Sequence, residues 1–112
     1  AQVISQRDQH TLDDDAKLFF ILDNALLDSS IACWFVKRFH DSVRPISAIR
    51  FLFQDKNIKA WGGPGQGKQV IQGQNWRPYL PTPPFSEFVS GHSTFSSAAA
   101  EVLRLFTGSD KF

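Results

Sequence analysis

The sequence lacks several features that would place a small protein quickly in a class. Its one cysteine, Cys33, excludes a disulfide within the chain, and its apolar surroundings favour a small buried side chain. No basic block with interleaved aromatic residues occurs and the formal net charge is +1, so nucleic acid is not an expected partner. There are no internal repeats. These absences leave the localisation unknown, with a soluble, secreted or periplasmic protein all compatible.

The sequence also lacks an uninterrupted apolar run of the roughly 20 residues that a membrane helix needs. Its most apolar region, residues 18–36, is interrupted by Asp23, Asn24 and Asp28. We therefore expect a soluble chain with no membrane span. Apolar residues make up 42% of the 112 residues and 11 are Phe, so a hydrophobic core is expected. The length fits one small domain or a piece of a larger one.

The pattern of the first 53 residues, a little less than half of the chain, predicts helices. Residues 1–10 resemble the tail of a helix. Thr11 is a good N-cap and Asp14 stands at the third helical position, which predicts a capping box. No Gly or Pro follows until residue 45, and apolar residues surround most of the circumference, which predicts a long central helix over residues 12–39. Arg44 precedes Pro45, so a second helix should follow at residues 46–53.

The remainder predicts loops and one more helix. Residues 54–74 read as a loop, within which residues 70–71 could form one short strand; its Gly-rich part lacks the order of a phosphate-binding loop. Residues 75–84 predict an extended, polyproline-like chain. Ser90 should cap a helix that reaches about Phe106 and ends at Gly108, with a loop through Phe112. The predicted fold is all-α, part of a helical bundle with extended loops.

The start of this last helix carries Ser90, Gly91 and His92. A serine N-cap is expected to leave the amides of residues 91–93 free at the positive end of the helix, and a glycine lets an anion approach the backbone closely. An imidazole beside it could transfer a proton. The triplet suits an oxyanion such as phosphate, although taken alone it is more often an ordinary cap.

Two cations upstream strengthen this interpretation. Lys37 lies near the end of the long helix and Arg44 at the start of the next, so we expect both side chains to reach one point. They would add charge and bidentate hydrogen bonds to an oxyanion. Considered separately, each is more often an ordinary solvated charge.

The combination Lys37, Arg44 and Pro45, followed by Ser90, Gly91 and His92, resembles the superfamily of vanadium-dependent haloperoxidases and type-2 phosphatidic acid phosphatases. The surrounding segments look like the soluble bacterial haloperoxidase branch; they are residues 41–46, 61–67, 80–85 and 93–96. The resemblance implies that residues 1–112 are the N-terminal-side part of a single haloperoxidase-like catalytic domain.

The resemblance also implies a cofactor and roles at the site. The cofactor would be vanadate, whose site phosphate can occupy, and the reaction would be halide oxidation by hydrogen peroxide, with halide or a small organic molecule as substrate. The oxyanion would be held by Lys37, Arg44, Ser90 and Gly91. Lys37 would also polarise bound peroxide, and His92 would be the acid–base group.

The aromatic residues of the halide pocket follow from the same resemblance. Trp34 and Phe85 match positions that line the halide side in haloperoxidases. Ordinary core aromatics are an equally good interpretation of both residues.

The sequence departs from the family in two places. The second motif usually opens with Pro, where this chain has Val89. The third motif, with an oxyanion-binding Arg and a metal-ligating His, is absent: Arg104 follows His92, but no histidine does. We therefore expect no metal ligand in this chain and a ligating His beyond Phe112. The expected partners are the missing C-terminal part of the domain and, in a homo-oligomer, a second copy.

Two alternatives remain open. An acid phosphatase of the same superfamily would use the same residues, with phosphate replacing vanadate and a downstream His attacking phosphorus. A catalytically silent helical fragment, acting as an assembly or binding module, would explain why the third motif is missing.

Overall fold

The structure, a computed structural model, describes residues 1–111. Helices dominate it, which confirms the predicted helical class in its coarse form. A two-stranded sheet also occurs, so the strict all-α assignment is corrected. The elements in chain order are α1 (Gln2–Arg7), α2 (Leu12–His40), α3 (Pro45–Leu52), β1 (Asn57–Trp61), β2 (Lys68–Gln72), a 3₁₀ turn (Gly73–Asn75) and α4 (Gly91–Thr107).

Helix α2 begins with the predicted capping box. The amide of Asp14 donates to Oγ1 of Thr11 at 3.2 Å, and the amide of Thr11 donates to Oδ2 of Asp14 at 3.1 Å. Two donors at the start of the helix are thereby satisfied by neighbouring residues. The helix runs for 29 residues and ends at His40, because Asp41 takes a left-handed conformation with φ of 41°.

Helix α3 also begins as predicted. Arg44 is extended, with φ −74° and ψ 152°, as the residue before a proline tends to be, and Pro45 is the first helical residue. The helix ends one residue earlier than predicted, at Leu52.

The predicted loop over residues 54–74 is instead a β-hairpin, which corrects that part of the prediction. Strands β1 and β2 pair antiparallel, with Asn57 opposite Gln72 and Trp61 opposite Lys68. The Gly-rich segment connects the strands: the amide of Gly62 donates to the carbonyl of Gly67 at 2.8 Å. Positive φ values within this segment demand glycine, which accounts for its composition.

The chain divides into two compact units. Unit 1 consists of Ala1–Phe39 together with residues from Val89 onward, and unit 2 is His40–Phe88. In unit 1 the buried apolar side chains are Ile4, Leu18 and Cys33. In unit 2 the segment after the hairpin is joined to α3, since Nε of Arg50 donates to the carbonyl of Trp76 at 2.8 Å. That residues 1–112 belong to a single catalytic domain stays a prediction.

Helix α2 was expected to be covered around most of its circumference, and the structure corrects this. One face is buried, at Leu18, Cys33 and Lys37. The opposite face leaves large side chains exposed, including Phe20 and Ile31. The described residues of unit 1 supply only α1 and α4 as further helices, which is too little surface to cover a helix that is apolar all round.

The same helix bears on the expectation of no membrane span. An 18-residue window within Leu12–Leu52 reaches a mean hydropathy of 1.4, and 6% of that window is buried. Length and composition alone would let this segment cross a membrane, but core helices and signal sequences meet the same criterion. The expectation therefore stays a prediction.

Candidate oxyanion site

The start of α4 is an N-cap at Ser90, as predicted. Oγ of Ser90 accepts a hydrogen bond from the amide of Ser93 at 3.3 Å, and its carbonyl accepts one from the amide of Thr94 at 3.0 Å. The prediction that residues 91–93 all keep free amides is therefore wrong for Ser93. Within residues 1–111, the amides of Gly91 and His92 have no hydrogen-bond acceptor. Two donors remain at the positive end of a 17-residue helix.

Gly91 gives these donors an open approach and also contacts α2. A Cβ atom at this position would lie 3.6 Å from Cε2 of Phe95 and 4.0 Å from Sγ of Cys33, which are ordinary contact distances. The first residue of α4 therefore packs beside Cys33, which is buried as predicted.

Lys37 is buried on this same side of α2. It lies four residues after Cys33, so the two side chains share one face of the helix. Only 3% of its surface is exposed, and every buried side-chain nitrogen or oxygen within residues 1–111 has a hydrogen-bond partner. A buried ammonium acts in a low dielectric, where its attraction for an anion is much stronger than in water.

His92 is exposed at the second position of α4. Within the described part of the chain its ring makes no hydrogen bond or ion pair. The ring can therefore give or take a proton without first breaking a contact. The other two histidines are engaged: Nδ1 of His10 lies 3.1 Å from Oδ1 of Asp15, and the ring of His40 meets the ring of Phe88 edge-on at 5.2 Å.

Arg44 lies in unit 2 and is used differently from what the sequence suggests. Its Nε donates to the carbonyl of Phe85 at 2.8 Å, and Nη2 donates to the carbonyl of Ser86 at 3.3 Å. The guanidinium also lies over the ring of Phe85, 5.0 Å from its centroid. These contacts use two of the five N–H groups of the guanidinium.

The two predicted halide-pocket aromatics lie in different units. Trp34 is on α2 in unit 1, 47% exposed, and three residues before Lys37. Phe85 is in unit 2 against Arg44. Unit 1 thus contains Trp34, Lys37, Ser90, Gly91 and His92, and unit 2 contains Arg44 and Phe85. The functional assignments of all seven stay predictions.

The sequence did not predict the hydrogen bonds that Ser42 makes near Arg44. The carbonyl of Ser42 accepts from the amide of Glu87 at 3.1 Å, and its Oγ accepts from the amide of Phe88 at 2.8 Å. No local pattern signals these bonds, because their partners lie more than 40 residues apart in the chain.

The described residues contain no group of three or more His, Cys, Asp or Glu side chains that could hold a metal ion.

Fold and site together define a mostly helical protein with a candidate oxyanion-binding helix start. In a comparison with known families, a family model described as the VCPO second helical-bundle domain matches residues 17–112. The chain belongs to this family, that of the vanadium haloperoxidases. The family is in general vanadate-dependent. No curated protein and no solved structure matches the chain.

Proposed function

We propose that this chain carries the oxyanion-binding and proton-transferring part of a vanadate-dependent, haloperoxidase-like active site that oxidises halide with hydrogen peroxide. The observation that supports this most directly is the pair of amides at Gly91 and His92, which lack an acceptor within residues 1–111 and begin a long helix. Membership of the vanadium haloperoxidase family gives this helix start its expected ligand.

The chemistry of the donors fits vanadate. The amides of Gly91 and His92 are neutral donors, and the hydroxyl of Ser90 can still donate its proton while its oxygen accepts from Ser93. Lys37 adds a buried positive charge on the face of α2 that meets Gly91. Such a set of donors stabilises negative charge spread over several oxygens. When bound, vanadate supplies a Lewis acid that activates peroxide without a change in oxidation state.

The residues of this chain then have separate tasks. The amides, Ser90 and Lys37 hold the oxyanion and offset its charge. His92 gives or takes a proton at the oxyanion through its exposed imidazole. Arg44 adds charge from its remaining N–H groups. The Arg and His of the family's third motif have no counterpart after His92 in this sequence.

A phosphatase of the same superfamily is the second candidate, because an identical set of donors binds phosphate. A silent assembly module is the third candidate. Binding and turnover measurements separate these three functions.

The binding test titrates the chain with vanadate and follows the ⁵¹V NMR signal, with inorganic phosphate added as competitor. We expect a saturable bound signal that phosphate displaces. Turnover is then measured in the protein that carries this domain, with hydrogen peroxide and bromide in the presence and absence of vanadate, and separately with a phosphomonoester. Phosphate release without vanadate-dependent bromide oxidation would replace the first function by the second. No vanadate binding and no turnover would leave the assembly module.

Two substitutions separate the tasks within the site. His92→Ala should abolish turnover while changing vanadate affinity little, because the imidazole moves a proton and the amides remain. Arg44→Ala should weaken binding first, by about tenfold for one lost charge-assisted contact. Equal vanadate affinity in the wild type and Arg44→Ala would refute the binding role of Arg44.

A further inference from the structure

Ser42 and Arg44, at the corner between α2 and α3, make four hydrogen bonds within residues 1–111 to a distant segment of unit 2. Ser42 accepts from the amides of Glu87 and Phe88, at 3.1 and 2.8 Å. Arg44 donates to the carbonyls of Phe85 and Ser86, at 2.8 and 3.3 Å. Residues 85–88 are thus bound through two successive carbonyls and then two successive amides. We call this arrangement the corner clamp.

The left-handed conformation of Asp41 shapes the corner itself. Its φ of 41° ends α2 immediately before Ser42. Asp is among the few residues besides Gly that adopt this conformation readily. The turn allows both the carbonyl and the hydroxyl of Ser42 to face residues 87 and 88. The ring of His40 adds an edge contact to Phe88.

The corner clamp determines where the guanidinium of Arg44 is held. Nε and Nη2 are fixed by the carbonyls of residues 85 and 86, and the ring of Phe85 lies beneath the guanidinium at 5.0 Å. Those carbonyls belong to a segment without regular secondary structure. Such a segment depends on its tertiary bonds for a fixed position. On its C-terminal side this segment is bonded to Ser42, through the amides of Glu87 and Phe88.

We propose that Ser42 is a positioning residue for the oxyanion site: it fixes the segment that orients the guanidinium of Arg44. Ser42 contacts no substrate in this assignment and acts through Arg44. The inference rests on the proposed function, since it deepens the role given there to Arg44.

The first arm of the test needs no ligand. In ¹⁵N-edited NMR of the whole chain, the Nε–H signal of Arg44 and the amide of Phe88 should exchange slowly with water. Ser42→Ala should raise both exchange rates about fivefold, the equivalent of one ordinary hydrogen bond. Ser42→Thr keeps the oxygen and should restore both rates. Ser47→Ala, on the exposed side of α3, is the matched control and should change neither rate.

The second arm measures vanadate affinity in a double-mutant cycle. Ser42→Ala should weaken vanadate binding about fivefold in the wild type. It should have no further effect in Arg44→Ala, because Ser42 acts through Arg44 and the effects of coupled residues on the binding free energy are not additive. An unchanged exchange rate of the Arg44 Nε–H in Ser42→Ala would overturn the inference. So would an equal loss of vanadate affinity when Ser42→Ala is introduced into the wild type and into Arg44→Ala. A wild type that binds no vanadate would refute the proposed function, and with it the role of Ser42 in an oxyanion site. The exchange arm would then still decide whether Ser42 orients Arg44.

Discussion

The two units use their polar groups in opposite ways. In unit 1 the start of α4 keeps two amide donors without acceptors within residues 1–111, and His92 beside them is exposed. In unit 2 the cation Arg44 donates to backbone carbonyls and helps to fix an irregular segment. The difference teaches that residues predicted for one site need not share one task. Unit 1 presents open amide donors, whereas in unit 2 the cation is bonded to the backbone of a loop.

Glycines show the same contrast. Gly73 in unit 2 is enclosed: a Cβ atom there would lie 2.2 Å from the carbonyl oxygen of Phe53. Gly91 in unit 1 is open, with the nearest such contact at 3.6 Å. A glycine in unit 2 therefore allows close packing of two backbones, while the glycine in unit 1 allows approach to the backbone from outside.

The largest expected effect tests this contrast in unit 2. Gly73→Ala must displace the backbone of Phe53, so it should destabilise the hairpin by about 3 kcal/mol, the upper range for overpacking. Hydrogen exchange of the β1 and β2 amides, with urea unfolding, measures the loss.

Gly65→Ala is the matched control in the same unit. No atom lies within 4 Å of its added methyl group, but φ is 72°, so a cost of about 1 kcal/mol is expected from the backbone alone. Equal stability of the two variants would show that close packing at Gly73 does not matter.

Local signals made the helices predictable. The capping box at Thr11, Pro45 at the start of α3 and the cap at Ser90 each act within four residues, so their effect is readable in the sequence. The end of α4 is equally local, since Gly108 adopts the left-handed conformation with φ of 68°.

The remainder of the fold depends on distant partners. The hairpin pairs Asn57 with Gln72. Strand β2 lacks the alternating apolar pattern that marks a strand in sequence, and in β1 the alternation covers only residues 57–60. The corner clamp joins residues more than 40 positions apart. At the site, the cap at Ser90 was predictable. The loss of the Ser93 amide to that cap, and the use of Arg44 on carbonyls, depend on geometry that a motif does not encode.

The next effect in size tests unit 1. Gly91→Ala adds a methyl group at ordinary contact distances, so the free energy of unfolding should change by less than about 0.5 kcal/mol. The same methyl group obstructs the approach to the amides, and vanadate affinity in the ⁵¹V titration should fall about tenfold. Ser96→Ala, exposed on the same helix, is the control and should leave binding unchanged. Unchanged affinity in Gly91→Ala would mean that no anion approaches the helix start at this residue.

The smallest effect compares two helix starts within unit 1. At both starts the N-cap hydroxyl accepts from the amide of the third helical residue, Asp14 at α2 and Ser93 at α4, but within residues 1–111 only at α2 does a carboxylate also accept from the N-cap amide. The hydroxyl of Thr11 first, and then its amide, hold the pKa of the Asp14 carboxyl below its ordinary value. Because the folded pKa is depressed, this stabilisation is present above the unfolded pKa of about 3.9 and is lost as the pH falls through the lower folded value.

Thr11→Val removes the hydroxyl, so the pKa of Asp14 should rise towards its ordinary value and the acid-dependent loss of helix at the start of α2 should begin at higher pH. Thr11→Ser keeps the hydroxyl and should titrate like the wild type. A ¹³C NMR titration of the Asp14 carboxyl measures both variants, and circular dichroism follows the helix. If Asp14 titrated at the same pH with Val at position 11 as with Thr, the reciprocal bonds between residues 11 and 14 would contribute nothing to stability in solution. The reciprocal carboxylate bond would then distinguish the start of α2 from the start of α4 in geometry alone, and not in free energy.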